Sequence, residues 1–162
     1  MNKDIFLSFD ALTIEGINTL KSVEEILKNE LTALTQRDLE QIKDCASSKL
    51  TLLGNFSENT LLRSKLLEQN NYQSTADSIQ DFFGACSDAL VQKTCQDNWK
   101  ALEAILLAII DANAINEQVL KRNQKNLGSI LSILQGQQAN NILYNAKGSK
   151  GDYAGQSRIG KA

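Results

Sequence analysis

The sequence predicts an all-α protein: an elongated antiparallel helical bundle or coiled coil of three to four helices, with one long helix in its C-terminal half and a flexible tail. Three observations carry this reading. The 162 residues include no proline, and of the nine glycines Gly136, Gly148, Gly151, Gly155 and Gly160 lie beyond Gln135, so residues 1–135 hold few helix breakers. The β-branched residues never alternate with polar ones over the four to eight positions that a half-buried strand needs. Finally, Trp99, Leu102, Leu106, Ile109, Asn113, Asn116, Leu120, Asn123, Leu127, Ile130 and Leu134 follow one another in uninterrupted steps of three and four, a sustained heptad seam.

The elements follow in order. Ile17, Leu20, Leu27, Leu31 and Leu34, with Val23 and Ile26 beside them, mark one face of a first helix. The apolar phase slips across Thr35-Gln36-Arg37-Asp38, where Thr35 or Asp38 can cap, and resumes at Leu39, Ile42, Ala46, Leu50 and Leu53. This second helix runs on through Leu61, Leu62, Leu66 and Leu67 and stops in the polar cluster Gln69-Asn70-Asn71. Ser74-Thr75-Ala76-Asp77 has capping character ahead of Ile79, Phe82, Phe83, Cys86 and Leu90, which predicts a third helix over residues 75–93, weakened at Gly84. The seam from Trp99 then makes a helix of roughly 50 Å, which needs a partner along its length; the first two helices supply it. The expected organisation is one bundle domain, 1–135, and a basic glycine-rich tail, 136–162.

Composition narrows function by exclusion. A net charge of −2 and a pI near 5.2 give no field that draws nucleic acid or anionic lipid. The apolar stretch Ile5, Phe6, Leu7 and Phe9, flanked by Asp4 and Asp10, is too short for a secretory h-region, and no run reaches the roughly 18 apolar residues of a bilayer span. A soluble cytoplasmic chain without membrane insertion is expected. Cys45, Cys86 and Cys95 are odd in number and lack C-x-x-C spacing, which suits reduced thiols better than a disulfide frame or zinc site. Histidine is absent, removing the commonest general base and metal ligand. No catalytic constellation, cofactor site or metal site is expected; the chain reads as one that holds another polypeptide.

The candidate functional residues sit late in the chain. Asn113, Asn116 and Asn123 interrupt the seam, and a buried unpaired amide costs about 1–3 kcal/mol. Three readings stand: they fix helix register, they mark a hydrated stretch that opens to a partner helix, or they are ordinary exposed residues. Trp99 reads as a core anchor at the end of the bundle. Ile130, Leu131, Ile133 and Leu134 are wider than a narrow seam buries, which leaves core and exposed groove both open. In the tail, Ile142-Leu143-Tyr144 forms one apolar island among glycines and the bases Lys147, Lys150, Arg158 and Lys161.

Leu34, Arg37-Asp38, Lys49, Arg63-x-x-Leu66-Leu67, Trp99-x-x-Leu102, Asn113-x-x-Asn116, Arg122-Asn123 and Leu143-Tyr144-Asn145-Ala146-Lys147-Gly148 occur in an order and spacing that resembles the FlgN family of flagellar type III export chaperones. Asn70, Glu117 and Asn145 stand where that family more often has glycine, glycine and an acid. The resemblance implies a cytoplasmic chaperone that binds the C-terminal helical segments of the hook-filament junction proteins FlgK and FlgL and delivers them to the flagellar export-gate protein. By the same resemblance Leu127, Ile130, Leu131, Leu134, Ile142 and Leu143 would hold cargo, and Tyr144 would dock the export gate. The competing reading is a structural coiled-coil adaptor or self-assembling helical bundle with no secretion cargo.

Overall fold

A computed structural model of the chain describes residues 3–134, and among these the fold is all α-helical. The segment 136–162 read as a tail lies outside the described residues. Four helices follow in order: α1 (Lys3–Gln36), α2 (Leu39–Gln69), α3 (Ala76–Gly84) and α4 (Ala89–Leu134). The chain divides into two units, Met1–Lys121 and Arg122–Ala162, and α4 contributes to both.

Cross-helix hydrogen bonds set the directions in the first unit. Asn59 Nδ2 donates to Leu12 O and Lys49 Nζ to Glu30, so α2 runs antiparallel to α1. Cys95, Asn98 and Asn116 bond Phe6, Asp10 and Leu27 respectively, a nearly constant offset that makes α4 parallel to α1. α2 is therefore antiparallel to both long neighbours. The parallel arrangement is possible because α2 and α3 carry the chain back to the end where α1 began.

Each break has a local cause. At the end of α1, Arg37 takes a left-handed backbone (φ 61°), and Asp38 N donates back to Ala33 O at 3.0 Å. Asp38 then caps α2, its carboxylate accepting from Gln41 N at 3.0 Å. The same six-to-one closure ends α2: Asn71 has φ 65° and Tyr72 N donates to Leu67 O at 2.9 Å. Asparagine tolerates that conformation better than arginine does. Replacing exposed Arg37 with glycine should therefore raise stability by about 0.5–1 kcal/mol, measured as an increased urea midpoint at unchanged slope.

Two sequence expectations are corrected at helix boundaries. The first helix starts at Lys3, not near Ile17, because Phe6, Phe9, Thr13, Ile17 and Leu20 form one continuous inward row. The third helix does not reach residue 93. It runs from its Thr75 cap, which accepts from Ser78 N, to Gly84, and α4 begins separately at Ala89. Asp88 produces that second start: its Oδ1 accepts from Leu90 N and Val91 N, while Oδ2 pairs with Lys3 Nζ at 2.7 Å. The Lys3 bond, reinforced by the Val91 amide, holds the Asp88 carboxyl below the usual aspartate range.

The core has two clusters. At the α1 start, Phe6, Phe9, Leu67, Ile79, Phe82, Phe83, Cys86 and Cys95 are buried together. Phe82 is the hub, with ring centroids 4.7 Å from Phe6, 5.2 Å from Phe9 and 5.3 Å from Tyr72. Further along, Ile17, Leu20, Val23 and Leu27 of α1 pack on Leu102 and Ile109 of α4, and Trp99 touches both clusters. Only one seam position per heptad, Leu102, Ile109 and Asn116, is deeply buried, while Leu106 and Leu120 remain open to solvent.

All three cysteines are buried thiols. Burial, and then the Asp10 carboxylate, push Cys95 from 9.0 up to about 11. An unfolded chain ionises this thiol near 9 while the folded chain keeps it neutral. Its contribution is thus fully present below pH 9 and lost as pH rises through about 11. Native protein at pH 8 should react with iodoacetamide about tenfold or more slowly than urea-unfolded protein, read by mass spectrometry. Equal rates would contradict this packing.

Candidate functional site

Along α4 the apolar face behaves differently at its two ends. Up to Asn116 the inward positions are covered by α1 and α2. Asn116 itself is 4% exposed, and its Nδ2 donates to Leu27 O at 2.9 Å and to Glu30 Oε2 at 2.8 Å. Both carboxylate oxygens of Glu30 also accept from Lys49 Nζ, at 2.8 and 2.9 Å, and Lys49 Nζ donates to Asn113 Oδ1 at 3.4 Å. Asn113 and Asn116, three residues apart, therefore grip one Glu30–Lys49 ion pair from adjacent positions. Asn113 is exposed and Asn123 half-buried, so the three asparagines do not form one continuous buried row. The α1–α2–α4 register is locked where charge, amide and helix carbonyl meet.

In the second unit the same helix carries Leu127, Ile130, Leu131 and Ile133, exposed by 60, 50, 54 and 70%. Leu127, Ile130 and Leu131 have i, i+3, i+4 spacing and so share one side of α4. Ile133 follows Ile130 by three residues and stands at the edge of that side. Arg122 and Lys125 lie exposed on the preceding turns. Leu134 ends α4 and its side chain, like Ile142, Leu143 and Tyr144, lies outside the described residues. Three of the six residues expected to hold cargo are thus brought together as an open apolar strip, which has the form that accepts an amphipathic helix.

Sequence reasoning singled out Arg63 only as part of a motif, not for burial. It continues the inward row Phe56, Asn59, Arg63, Leu67 at steps of three and four, a phase that could have revealed it. Arg63 is 5% exposed and stands 5.6 Å from the Phe56 ring and 5.7 Å from that of Trp99. Its Nη2 donates to Thr60 Oγ1 at 3.0 Å, whereas Nη1 and the nearby Asn59 Oδ1 are buried without a hydrogen-bond partner. Gly16 gives α2 room here: a Cβ on it would lie 2.9 Å from Asn59 Oδ1 and 3.3 Å from Arg63 Nη1. Burial shifts the Arg63 guanidinium below its ordinary pKa. Ring contacts return about 0.5–2 kcal/mol, less than the several kcal/mol that desolvating an unpaired ion costs.

Among the described residues no helix is long and apolar enough to cross a membrane, and no group of three or more metal-ligating side chains occurs. Comparison with curated proteins finds no match. Comparison with solved structures likewise finds none. The family model described as FlgN protein matches residues 11–151, which spans all four helices apart from the first turns of α1. The chain therefore belongs to the FlgN family and has that family's general role as a flagellar export chaperone.

Proposed function

We propose that this chain is a cytoplasmic, non-catalytic carrier that binds the C-terminal helical segments of FlgK- and FlgL-like hook-filament junction subunits, prevents their premature assembly and brings them to the export gate. The observation that carries the reading is the strip Leu127, Ile130 and Leu131, each at least half exposed on one side of α4. Such a strip left in water favours a partner that covers it, at about 25 cal/mol per Å² of apolar area removed from solvent. Cargo engages this strip together with Leu134, Ile142 and Leu143, and Tyr144 engages the export-gate protein. The family's general role as a flagellar export chaperone supports the carrier reading.

Calorimetric titration with the C-terminal segment of a cognate junction subunit tests it, using the intact chain, a chain ending at Gln135 and the pair Leu127→Ser/Leu131→Ser. The expected result is one-to-one binding by the intact chain, weakened about 30- to 100-fold by the double substitution with helix content unchanged, since both leucines are exposed. Absence of binding by the intact chain would sink the assignment. The same strip also suits a second copy of this chain as a self-assembling bundle, and sedimentation separates the readings: a tight dimer at micromolar concentration favours self-assembly.

A further inference from the structure

A hollow of about 160 Å³ lies in the first unit where α1 and α4 run side by side, lined by Leu7, Asp10, Leu90, Val91, Thr94 and Cys95. Three of these residues are polar or carry a thiol, and two have their hydrogens committed: Thr94 Oγ1 donates to Leu90 O at 3.0 Å and Cys95 Sγ to Phe6 O at 3.6 Å. Asp10 is the third. It is 8% exposed, and a carboxylate so far removed from water calls for a cation or several donors. It has a single side-chain donor, Asn98 Nδ2, which reaches Oδ1 at 2.8 Å. Asp10 forms no ion pair among the described residues, and the nearest base on its own side of α1, Lys3, is held by Asp88. Asp10 Oδ2 takes no side-chain hydrogen bond and yet is not among the sealed-off polar atoms, so it stays within reach of solvent at the hollow that Asp10 lines.

We infer that this hollow takes up a lysine side chain presented by a partner polypeptide, its ammonium meeting Asp10 Oδ2 and its methylene stem lying against Leu7, Leu90 and Val91. A lysine is the side chain that joins a compact point charge to a flexible apolar stem. A guanidinium spreads five donors over a plane and needs more acceptors than the one oxygen left open here. A quaternary ammonium is favoured by aromatic faces, and none lines the hollow. A chain-terminal amine brings its charge without the stem and drags in a peptide group, for which Thr94 and Cys95 have no free hydrogen. The charge-assisted bond to a desolvated carboxylate supplies the selectivity, and the apolar walls supply contact for the stem. The hollow shares no residue with the α4 strip, so the inference does not rest on the cargo reading.

Binding is read on the full, isotope-labelled chain from the amide resonances of Leu7, Asp10, Leu90, Val91 and Cys95. The probes are a short glycine–serine peptide, blocked at both ends, with one central lysine; the same peptide with Nε-acetyl-lysine; the same with arginine; and butylamine. The lysine peptide should shift these amides with half-saturation at about 1–10 mM, the acetylated peptide about tenfold more weakly and the arginine peptide about threefold more weakly. Asp10→Asn keeps an oxygen for Asn98 and should bring the lysine peptide down to the acetylated level. Leu90→Ser alters a side chain 76% exposed, so the fold is kept, and should weaken the lysine peptide about three- to tenfold. Equal binding of the lysine and acetyl-lysine peptides, undiminished binding by Asp10→Asn or by Leu90→Ser, or no shift of these amides by about 20 mM overturns the site. Binding of butylamine without the lysine peptide overturns the assignment to a polypeptide and gives the hollow to a small free amine.

Discussion

Replacing Phe82 with alanine should cost about 3–5 kcal/mol of stability, the largest loss expected from any single substitution in the first core cluster. Phe82 is fully buried and its ring meets Phe6, Phe9, Tyr72 and Phe83, so the change removes the shared neighbour of four other aromatics. Those partners come from α1, the α2–α3 turn and α3 itself, and no one element can move in to fill the space without disturbing another. The collapse that softens some large-to-small changes is therefore restricted. Against a total stability of about 5–15 kcal/mol the melting midpoint should fall by roughly 10–20 °C. Phe82→Leu keeps most of the volume and should cost about 1–1.5 kcal/mol. A loss below about 1 kcal/mol for the alanine variant, in urea unfolding, would show that the cluster repacks freely.

The second large effect belongs to Glu30. Alanine at this position removes the ion-pair partner of Lys49 and one acceptor of Asn116, and the expected cost is about 2–3 kcal/mol. The figure stays below that of a fully buried pair because the Lys49 side chain is 21% exposed and can reach water. Glu30→Gln separates the parts: the acceptor for Asn116 persists while the charge is lost, so about half of the effect should return. Exchanging both Glu30 and Lys49 for leucine and methionine should be far milder than the sum of the single changes. Strict additivity in that double-mutant cycle, followed by urea midpoints, would mean that the two charges do not act as a unit. Weak coupling would also remove the reason for Asn113 and Asn116 to stand three residues apart.

The sequence carried the elements that depend on short-range pattern. The second helix, the Asp38 and Thr75 caps and the long α4 are visible as spacing and capping chemistry, but the row read for α2 is not its inward face: Leu39, Leu50, Leu61 and Leu62 are exposed while Cys45, Asn59, Arg63 and Leu67 are buried. What escaped were features fixed by distant contacts. The start of α1 was hidden because Phe6 and Phe9 gain their meaning from Phe82 and Cys95, not from neighbours in sequence. The break between α3 and α4 was hidden because Cys86 and Leu90 continue a plausible helical phase across it, although Asp88 carries the cap that ends the ambiguity. Periodicity also marks Arg63 as inward but says nothing of its company. Its want of an acidic partner is a property of three helices at once. Of the site, Ile130 and Leu131 were legible as part of an apolar excess and Leu127 as a seam position, and their exposure is what the structure adds.

The parallel course of α1 and α4 has a consequence for the nascent chain. Phe6 and Cys95 are separated by 89 positions, and Phe9 finds its ring partners only once Phe82, Phe83 and Trp99 exist. At a translation rate of about 5–20 residues per second, those two rings leave the ribosome roughly 4–18 s before Phe82, Phe83 and Trp99 can cover them. During that interval α1 and α2 can pair as a hairpin, but its aromatic end stays open. A member of a family of export chaperones is thus itself born with a sticky end, and is most exposed to premature association while its own synthesis is incomplete.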